Sequence, residues 1–478
     1  MWKWKIKAVF ILLLTSCIIK LWVWYRTPVV NPDAFEYIEQ AKLLYKGSLS
    51  QAKNCGKHYL SLYHFLIPIA YKIFKEWIFS ARAVSFFFAV ITTIPVFFSF
   101  LLICNPAAAF VSSFLFSVNP FLSRLSSEII KDQMFWFFLN LGLLLSIYWL
   151  KRNRNLVFFL LSFLSFLCSS LIRIEGLLFA IFSPVFLLYL SKKKKLIYIY
   201  LLLILAFVLT VFLFVPDIQK IYLSKRLGLI YFIKKFNLKR LFIDIGPHIL
   251  GGILYVFSIP YFVLLIIGIK KEQFLHKIEF KYLLSLSVLS ISFLLIFFGS
   301  LCYSKRYLAI FFFPSFFFIG PCISNIIERL ESILNNKRSA IVFLCIFIFF
   351  SSIIYNLKQR RAHAIMYKKA GQYIAKIQHG KFSTILAYNR RINLYANERS
   401  LKTYCKGRLL ENISIFDLGQ KKALEYLCKN HIQFVFWESD KWKIGLDSFS
   451  FLTLIKEWPR NGKIFRLYKV KLELCHKK

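Results

Sequence analysis

Apolar runs about as long as a bilayer-spanning helix, roughly 20 residues, alternate along this chain with short clusters of lysine and arginine. Candidate spans cover 8–25, 82–103, 106–122, 134–150, 155–171, 175–190, 196–215, 250–269, 281–299, 304–325 and 339–356. That pattern predicts about 11 transmembrane helices, with ends read to within several residues. If the amino terminus is cytoplasmic, the inside loops carry Lys151, Arg152 and Arg154, then Lys192 to Lys195, then Lys270, Lys271 and Lys277, then Lys337 and Arg338. The alternation closes under the positive-inside rule without moving a span. The same count puts four segments outside: the 26–81 loop, a short loop at 123–133, the 216–249 loop, and everything after about residue 357. The 216–249 loop departs from the rule, because Lys220, Lys225, Arg226, Lys234, Lys235, Lys239 and Arg240 fall on the outer side. It reads either as a basic amphipathic segment on anionic headgroups or as cations gathered for a phosphate or an anionic acceptor.

The ends of the chain carry different textures. Lys3, Lys5 and Lys7 precede an apolar run from Ala8, as in a signal peptide, but no small-residue cleavage site follows. Trp22, Trp24 and Tyr25 instead suit interfacial anchors, so an uncleaved first span is expected. After 357 the pattern shortens to mixed charge with β-like runs. Phe382–Ala387, Ile432–Trp437 and Lys463–Val470 read as strands, and Gln420–Lys429 and Phe449–Trp458 as helices. The expected division is a transmembrane domain over 1–356 and a small extramembrane α/β domain over 357–478, large enough to fold alone.

Composition agrees with the pattern. Hydrophobic residues make up 58% of the 478 positions, with 55 phenylalanines, more than one soluble core needs. A net charge of +42 would elsewhere suggest nucleic acid; here the cations sit between spans, so no nucleic-acid partner is expected. The 10 cysteines show neither CxxC nor Cys/His ligand spacing. Cys55, Cys302, Cys405, Cys428 and Cys475 would face outward, where disulfides form, but their pairing is not legible.

Two outer loops carry candidate chemistry. Asn31 to Gly47 reads as a complete short helix, with Asn31 as N-cap, Pro32 at the first position and Gly47 as the stop. Ala34, Ile38, Ala41 and Tyr45, with Tyr37 and Leu44, form an apolar stripe, so the helix is expected to lie on the membrane surface. Asp33 falls in its first turn, where the helix dipole favours the carboxylate; such residues also occur purely for helix stability. In the turn entering the next span, Glu128 and Asp132 stand four apart, so a helix would put both on one face, with Lys131 beside them. Charges there also commonly just reach headgroups. Arg173 and Glu175 sit at the outer end of another span, where ion pairing or headgroup contact is the plainer reading.

Together these elements resemble the GT-C class of membrane glycosyltransferases, in the branch with protein O-mannosyltransferases and lipid A aminoarabinose transferases. Asp33-Ala-Phe-Glu-Tyr resembles the family's acidic motif after the first span, and Ala41 to Gly47 continues it. Ser80-Ala-Arg-Ala-Val-Ser85 resembles the start of the second span, and Pro120 with Asp132 keeps the family's spacing of a proline and a second-loop acid. Arg173-Ile-Glu-Gly is similar to the family's Arg-Pro-Glu-Gly with Ile174 in place of proline, and Lys305-Arg-Tyr-Leu with Pro314 resembles a later motif. The first motif departs from the many members that read Asp-Glu, with Ala34 at the second position and Glu36 two further on.

The resemblance implies a polyprenyl-phosphate sugar donor in the membrane and a lipid, glycan or protein acceptor at the outer face. Transfer would invert the anomeric centre. Asp33 would be the base, assisted by Asp132; Lys131, Arg82, Arg173 and Arg306 would meet the phosphate; Glu36, Glu128, Glu175 and Tyr307 would support them. A divalent metal stays open as a cofactor. The setting implied is a bacterial inner membrane, with a cytoplasmic amino terminus and a periplasmic C-terminal domain. Other readings are a glycan polymerase or ligase using the same carrier, or a transporter or flippase. Transporter acids gather near the midplane, often in repeated halves, and no such repeat is present.

Overall fold

The computed structural model describes residues 2–56, 59–153, 155–191, 246–269, 276–300, 304–357, 360–403, 405, 410–442, 444–460 and 462–475. The chain packs as two compact units. The first comprises Met1–Leu21, Phe88–Leu125 and Asp132–Leu357; the second comprises Trp22–Phe87, Ser126–Lys131 and Lys358–Lys478.

Among the described residues, 6 helices are long and apolar enough to cross a bilayer: Lys3–Tyr25, Trp77–Ile103, Asp132–Arg152, Gly246–Ile269, Ile278–Phe298 and Lys337–Tyr355. Two bent pairs, Pro106–Ser117 with Pro120–Ser126 (49°) and Lys305–Phe316 with Ile319–Leu334 (58°), raise the number to 8 if each is one span. Leu156–Ile172 and Gly176–Leu190 are shorter apolar helices. The protein is therefore an integral multi-pass membrane protein. Each candidate span within the described residues overlaps one of these helices. The 196–215 candidate, nearly all of the basic 216–249 loop and Cys302 lie outside the described residues.

Packing in the first unit follows from its composition. Phe100, Phe116, Phe312, Phe316 and Phe317 interlock, with ring centroids 4.9 Å apart for Phe100–Phe317 and Phe312–Phe316, an arrangement of offset and edge contacts that aromatic quadrupoles favour. Where backbones must approach, small and hydroxylated residues appear. A Cβ on Gly142 would meet the Phe166 ring at 2.6 Å, and beside it Ser146 and Ser162 share a 2.7 Å hydrogen bond. The outer faces stay apolar, with Phe10 and Phe347 each 65% exposed, which suits a lipid solvent. The first bend has a local cause: Asn119 Oδ1 accepts from the Leu122 amide at 3.1 Å, and Pro120 opens the second half, where its missing N–H costs nothing.

The second unit holds a four-stranded sheet, with β1 at Ile385–Ala387, β2 at Phe434–Glu438, β3 at Leu452–Arg460 and β4 at Lys463–Val470. The order is β1-β2-β4-β3; β1 and β2 are parallel and the other pairs antiparallel. The Gln420–Lys429 helix forms where expected. The helix expected over Phe449–Trp458 does not: most of that segment is β3. Phe449, Leu452, Ile455 and Trp458 recur every third residue, which mimics a helical stripe. In the sheet, a bulge between Leu454 and Lys456 breaks the strict alternation that would mark a strand. Gly462 turns the hairpin at φ +72°, and Pro459 is tolerated because β3 is an edge strand.

Two disulfides, Cys55–Cys405 and Cys428–Cys475, lie in this second unit. The free cysteines among the described residues, Cys17, Cys104, Cys168, Cys322 and Cys345, all belong to the first unit, in or beside its apolar helices.

Candidate active site

Asp33 belongs to the second unit. The chain leaves the first helix through Arg26-Thr-Pro-Val-Val-Asn31, whose two β-branched valines and flanking prolines disfavour helix. Asp33 then adopts helical angles (φ −65°, ψ −21°) at the head of the Ala34–Tyr45 helix, and its carbonyl accepts from the amides of Glu36 and Tyr37 at 3.1 and 3.3 Å. Asn31 is not the side-chain cap expected of it. Its amide instead bonds the Ile129 backbone twice, with Nδ2 donating to the carbonyl at 3.0 Å and Oδ1 accepting from the N–H at 2.8 Å. The far end behaves as expected. Gly47 takes φ +77°, and the Gly47 and Ser48 amides return to the Leu44 and Leu43 carbonyls, a Schellman stop.

The helix does not rest on a surface as its apolar stripe suggested. Every residue from Ala34 to Leu43 is buried, polar ones included. Partners make this affordable, two of them remote in sequence: Glu36 pairs with Arg390 at 2.8 Å, and Lys42 donates to the Asn397 carbonyl at 3.1 Å as well as to Glu39, one turn away, at 3.3 Å. A buried charge is tolerated only with such partners. Gly56, at φ +88°, lies against Glu36, whose carboxylate a Cβ would approach to 3.1 Å.

Three further candidates are also in the second unit. Arg82 is buried, donates to the Thr27 carbonyl at 3.0 Å and lies 5.8 Å from the Trp24 ring centroid. Glu128 pairs with Arg361 at 2.5 Å. Lys131 sits over the Tyr59 ring at 3.5 Å, a cation–π contact. Glu128 does not share a helix face with Asp132, because the Pro120–Ser126 helix ends before it and the next begins at Asp132.

Asp132, Arg173, Glu175, Arg306 and Tyr307 belong to the first unit, where Arg173 gathers the two acids. Its Nη1 meets Asp132 Oδ1, while Nε and Nη2 grip Glu175 at 3.2 and 2.6 Å. All three side chains are at least nine-tenths buried. The geometry comes from the chain: Arg173 ends the Leu156–Ile172 helix, Glu175 precedes Gly176–Leu190, and Asp132 opens Asp132–Tyr148, so all three cluster at helix ends. Gly176 is required at this reversal, since a Cβ there would lie 2.4 Å from the Ser170 nitrogen. The Tyr307 ring stands 4.8 Å from the Arg173 guanidinium, and Arg306 lies 5.7 Å from the same ring. Burial works against the Arg173 charge; Asp132 and Glu175 more than offset it and hold the group well above its ordinary value. A guanidinium carries five N–H donors, and the two acids take three.

The structure resembles solved membrane glycosyltransferases. It aligns with ArnT from Cupriavidus metallidurans bound to undecaprenyl phosphate at TM-score 0.61 and 10% identity, over 97% of this chain and 98% of that one. The apo state of the same protein also gives 0.61, over 100% of this chain and 99% of that one, at 10% identity. The archaeal oligosaccharyltransferase AglB from Archaeoglobus fulgidus, in complex with an inhibitory peptide and a dolichol-phosphate, gives 0.50 at 11% identity, over 91% of this chain and 69% of that one. This chain has the GT-C fold. At such identities the likeness is one of fold, and neither a family model nor a curated protein sequence matches.

Within the GT-C fold, several functional-looking residues escaped the sequence reading. Arg361 and Arg390, the partners of Glu128 and Glu36, lie more than two hundred residues from them, and no local pattern announces such pairs. Arg124 and Lys305 share the Tyr255 ring at 5.7 and 4.6 Å, with Arg124 also donating to the Tyr355 carbonyl at 2.7 Å. Lys305 opens the Lys305-Arg-Tyr-Leu motif but carried no role of its own in that reading. Among the described residues no three His, Cys, Asp or Glu side chains come together to share an ion. Asp132 and Glu175 face Arg173, Glu36 faces Arg390 and Glu128 faces Arg361.

Proposed function

We propose that the protein is an integral-membrane glycosyltransferase that takes a sugar from a polyprenyl-phosphate carrier and transfers it to a lipid, glycan or protein acceptor. The observation that carries this reading is the end-to-end GT-C fold, matched over 97% of the chain to a protein whose crystal structure holds undecaprenyl phosphate. The acids and cations singled out by the motif resemblance supply the chemistry in this reading. In the proposed step the acceptor oxygen or nitrogen attacks the anomeric carbon and its proton passes to the Asp33 carboxylate. The bond from that carbon to the phosphate oxygen breaks, its electron pair leaves with polyprenyl phosphate, and the configuration inverts. Cations stabilise the departing phosphate. Arg306, Lys131 and Arg82 are the proposed phosphate contacts. Arg173, with three of its donors already committed, contributes mainly by ordering Asp132 and Glu175.

The proposed setting is the outer face of a bacterial inner membrane, with residues 357–478 and the 26–81 loop periplasmic and the amino terminus cytoplasmic. The cysteines support it. Every disulfide among the described residues lies in the unit that holds those segments, and every free thiol lies in the other, as expected where one compartment oxidises. A lipid-linked donor also explains how transfer proceeds where nucleotide sugars are absent. The test is mass spectrometry of glycolipids and glycoproteins from cells with and without the protein. Loss of one glycan modification together with accumulation of a polyprenyl-phosphate sugar is expected, and unchanged glycans and carrier lipids would refute the proposal.

A further inference from the structure

The six residues ahead of the Asp33 turn, Arg26 to Asn31, form no helix or strand, yet Thr27, Val29, Val30 and Asn31 are at least 97% buried. A buried backbone must find partners, and here those partners are mostly cations. The Arg26 carbonyl accepts from the Arg360 amide at 3.0 Å, and the Thr27 carbonyl from Arg82 at 3.0 Å. The Pro28 carbonyl accepts from Lys368 at 3.3 Å, Val29 from Arg361 at 3.5 Å and Val30 from Arg391 at 3.4 Å. The Val30 amide donates to the Tyr395 hydroxyl at 2.9 Å. Five consecutive carbonyls are thus held, four of them by residues between 360 and 391. All these groups lie within the second unit.

We infer that the first part of the C-terminal region, through Arg361, Lys368, Arg391 and Tyr395, is a positioning device for Asp33. The prolines at 28 and 32 remove two amide donors and set φ; the local backbone bonds that remain run from the Arg26 and Thr27 amides back to the Trp22 and Trp24 carbonyls and leave the 26–30 carbonyls to remote partners. What fixes its path is the row of cations, and that path sets where the Asp33 turn begins. The cations are drawn together against their own repulsion. Burial and Arg82 push Lys368 below its ordinary value, and burial and Arg361 do the same to Arg391. The carbonyl dipoles supply the compensating negative ends, so the segment and the cations hold each other. None of these residues need touch substrate; they act through the backbone that carries the acid.

The catalytic half of this inference rests on Asp33 being the base; the structural half does not, and the experiment separates them. Full-length protein in detergent is compared as wild type, Lys368→Met, Lys368→Arg and Tyr395→Phe. Amide hydrogen exchange over residues 26–37 is measured without substrate, and kcat and KM with a polyprenyl-phosphate sugar. Tyr395→Phe removes one oxygen and keeps the packing, so it remains informative if Lys368→Met folds poorly. Faster exchange confined to 26–37 is expected in Lys368→Met and Tyr395→Phe. Misplacing a reacting group by about 1 Å costs up to roughly 10²-fold, so kcat should fall by tenfold or more while KM for the lipid donor stays, with Lys368→Arg restoring both readouts. Unchanged exchange in Lys368→Met and Tyr395→Phe would overturn the device. Faster exchange with unchanged kcat would overturn its role in positioning while leaving Asp33 as base. A wild-type protein without transfer would sink the functional reading alone, and the exchange data would still decide whether the segment is held.

Discussion

Replacing Arg173 by methionine removes the ion-pair partner of Asp132 and both bonds to Glu175, leaving two carboxylates 1% and 6% exposed. Breaking a buried ion pair from one side costs about 3–5 kcal/mol, because the remaining charge is neither hydrated nor compensated. Here two like charges are left, so the loss should lie toward the upper end of that range. Arg173→Lys keeps the charge but not the planar fork, and a point cation cannot serve both acids equally; a deficit of about 1.5–3 kcal/mol is expected, the worth of a charged hydrogen bond. Adding Asp132→Leu and Glu175→Met to Arg173→Met should recover most of the loss, since apolar replacement of a whole buried ionic cluster is close to neutral. The assay is denaturant unfolding in detergent. An Arg173→Met deficit below about 1 kcal/mol would show that the three side chains do not form the cluster described.

Tyr367 donates to buried Glu438 at 2.6 Å, so Tyr367→Phe should cost about 1.5–3 kcal/mol in unfolding measurements, and a neutral effect would contradict that bond. Burial and then Glu76 raise the Glu398 carboxyl above its ordinary value. Its ionisation in the folded protein is therefore unfavourable, and wild type should lose stability relative to Glu398→Gln as pH rises from about 4.5; parallel pH–stability curves would refute this. Gly176→Ala drives a Cβ to 2.4 Å from the Ser170 backbone nitrogen and should destabilise by about 1–3 kcal/mol or more, measured by thermal melting in detergent. Cys55, Cys405, Cys428 and Cys475 should resist a thiol reagent in intact cells until reductant is added, whereas free thiols at all four would contradict the outward placement.

The apolar helices among the described residues were legible because length and apolarity mark them, and the Gln420–Lys429 helix and the β4 strand because their periodicities are clean. The Arg173–Glu175 pair was legible for its two-residue separation, but its union with Asp132, 41 residues away, was not. The helix behind Asp33 shows most clearly what local pattern misses. Glu36, Glu39 and Lys42 lie off the apolar stripe, yet each finds a partner under cover, two of them through Arg390 and Asn397, which no spacing in residues 31–47 could announce. Burial of a charge is decided by tertiary partners, and periodicity cannot see them. Asn31 failed as a cap for a related reason, since the Ile129 backbone outcompeted the local amides for its side chain. The β3 strand was missed because its bulge imposed a threefold apolar spacing.

The central claim is that Asp33 drives sugar transfer from a lipid phosphate. Its most direct measurement is discharge of a radiolabelled polyprenyl-phosphate sugar by membranes from cells carrying wild-type or Asp33→Asn protein, matched for amount and for disulfide formation. Wild type should release polyprenyl phosphate and move the label to the acceptor, while the variant should be slower by about 10²–10⁴-fold, the usual worth of a general base. Equal discharge by the two proteins would contradict the account.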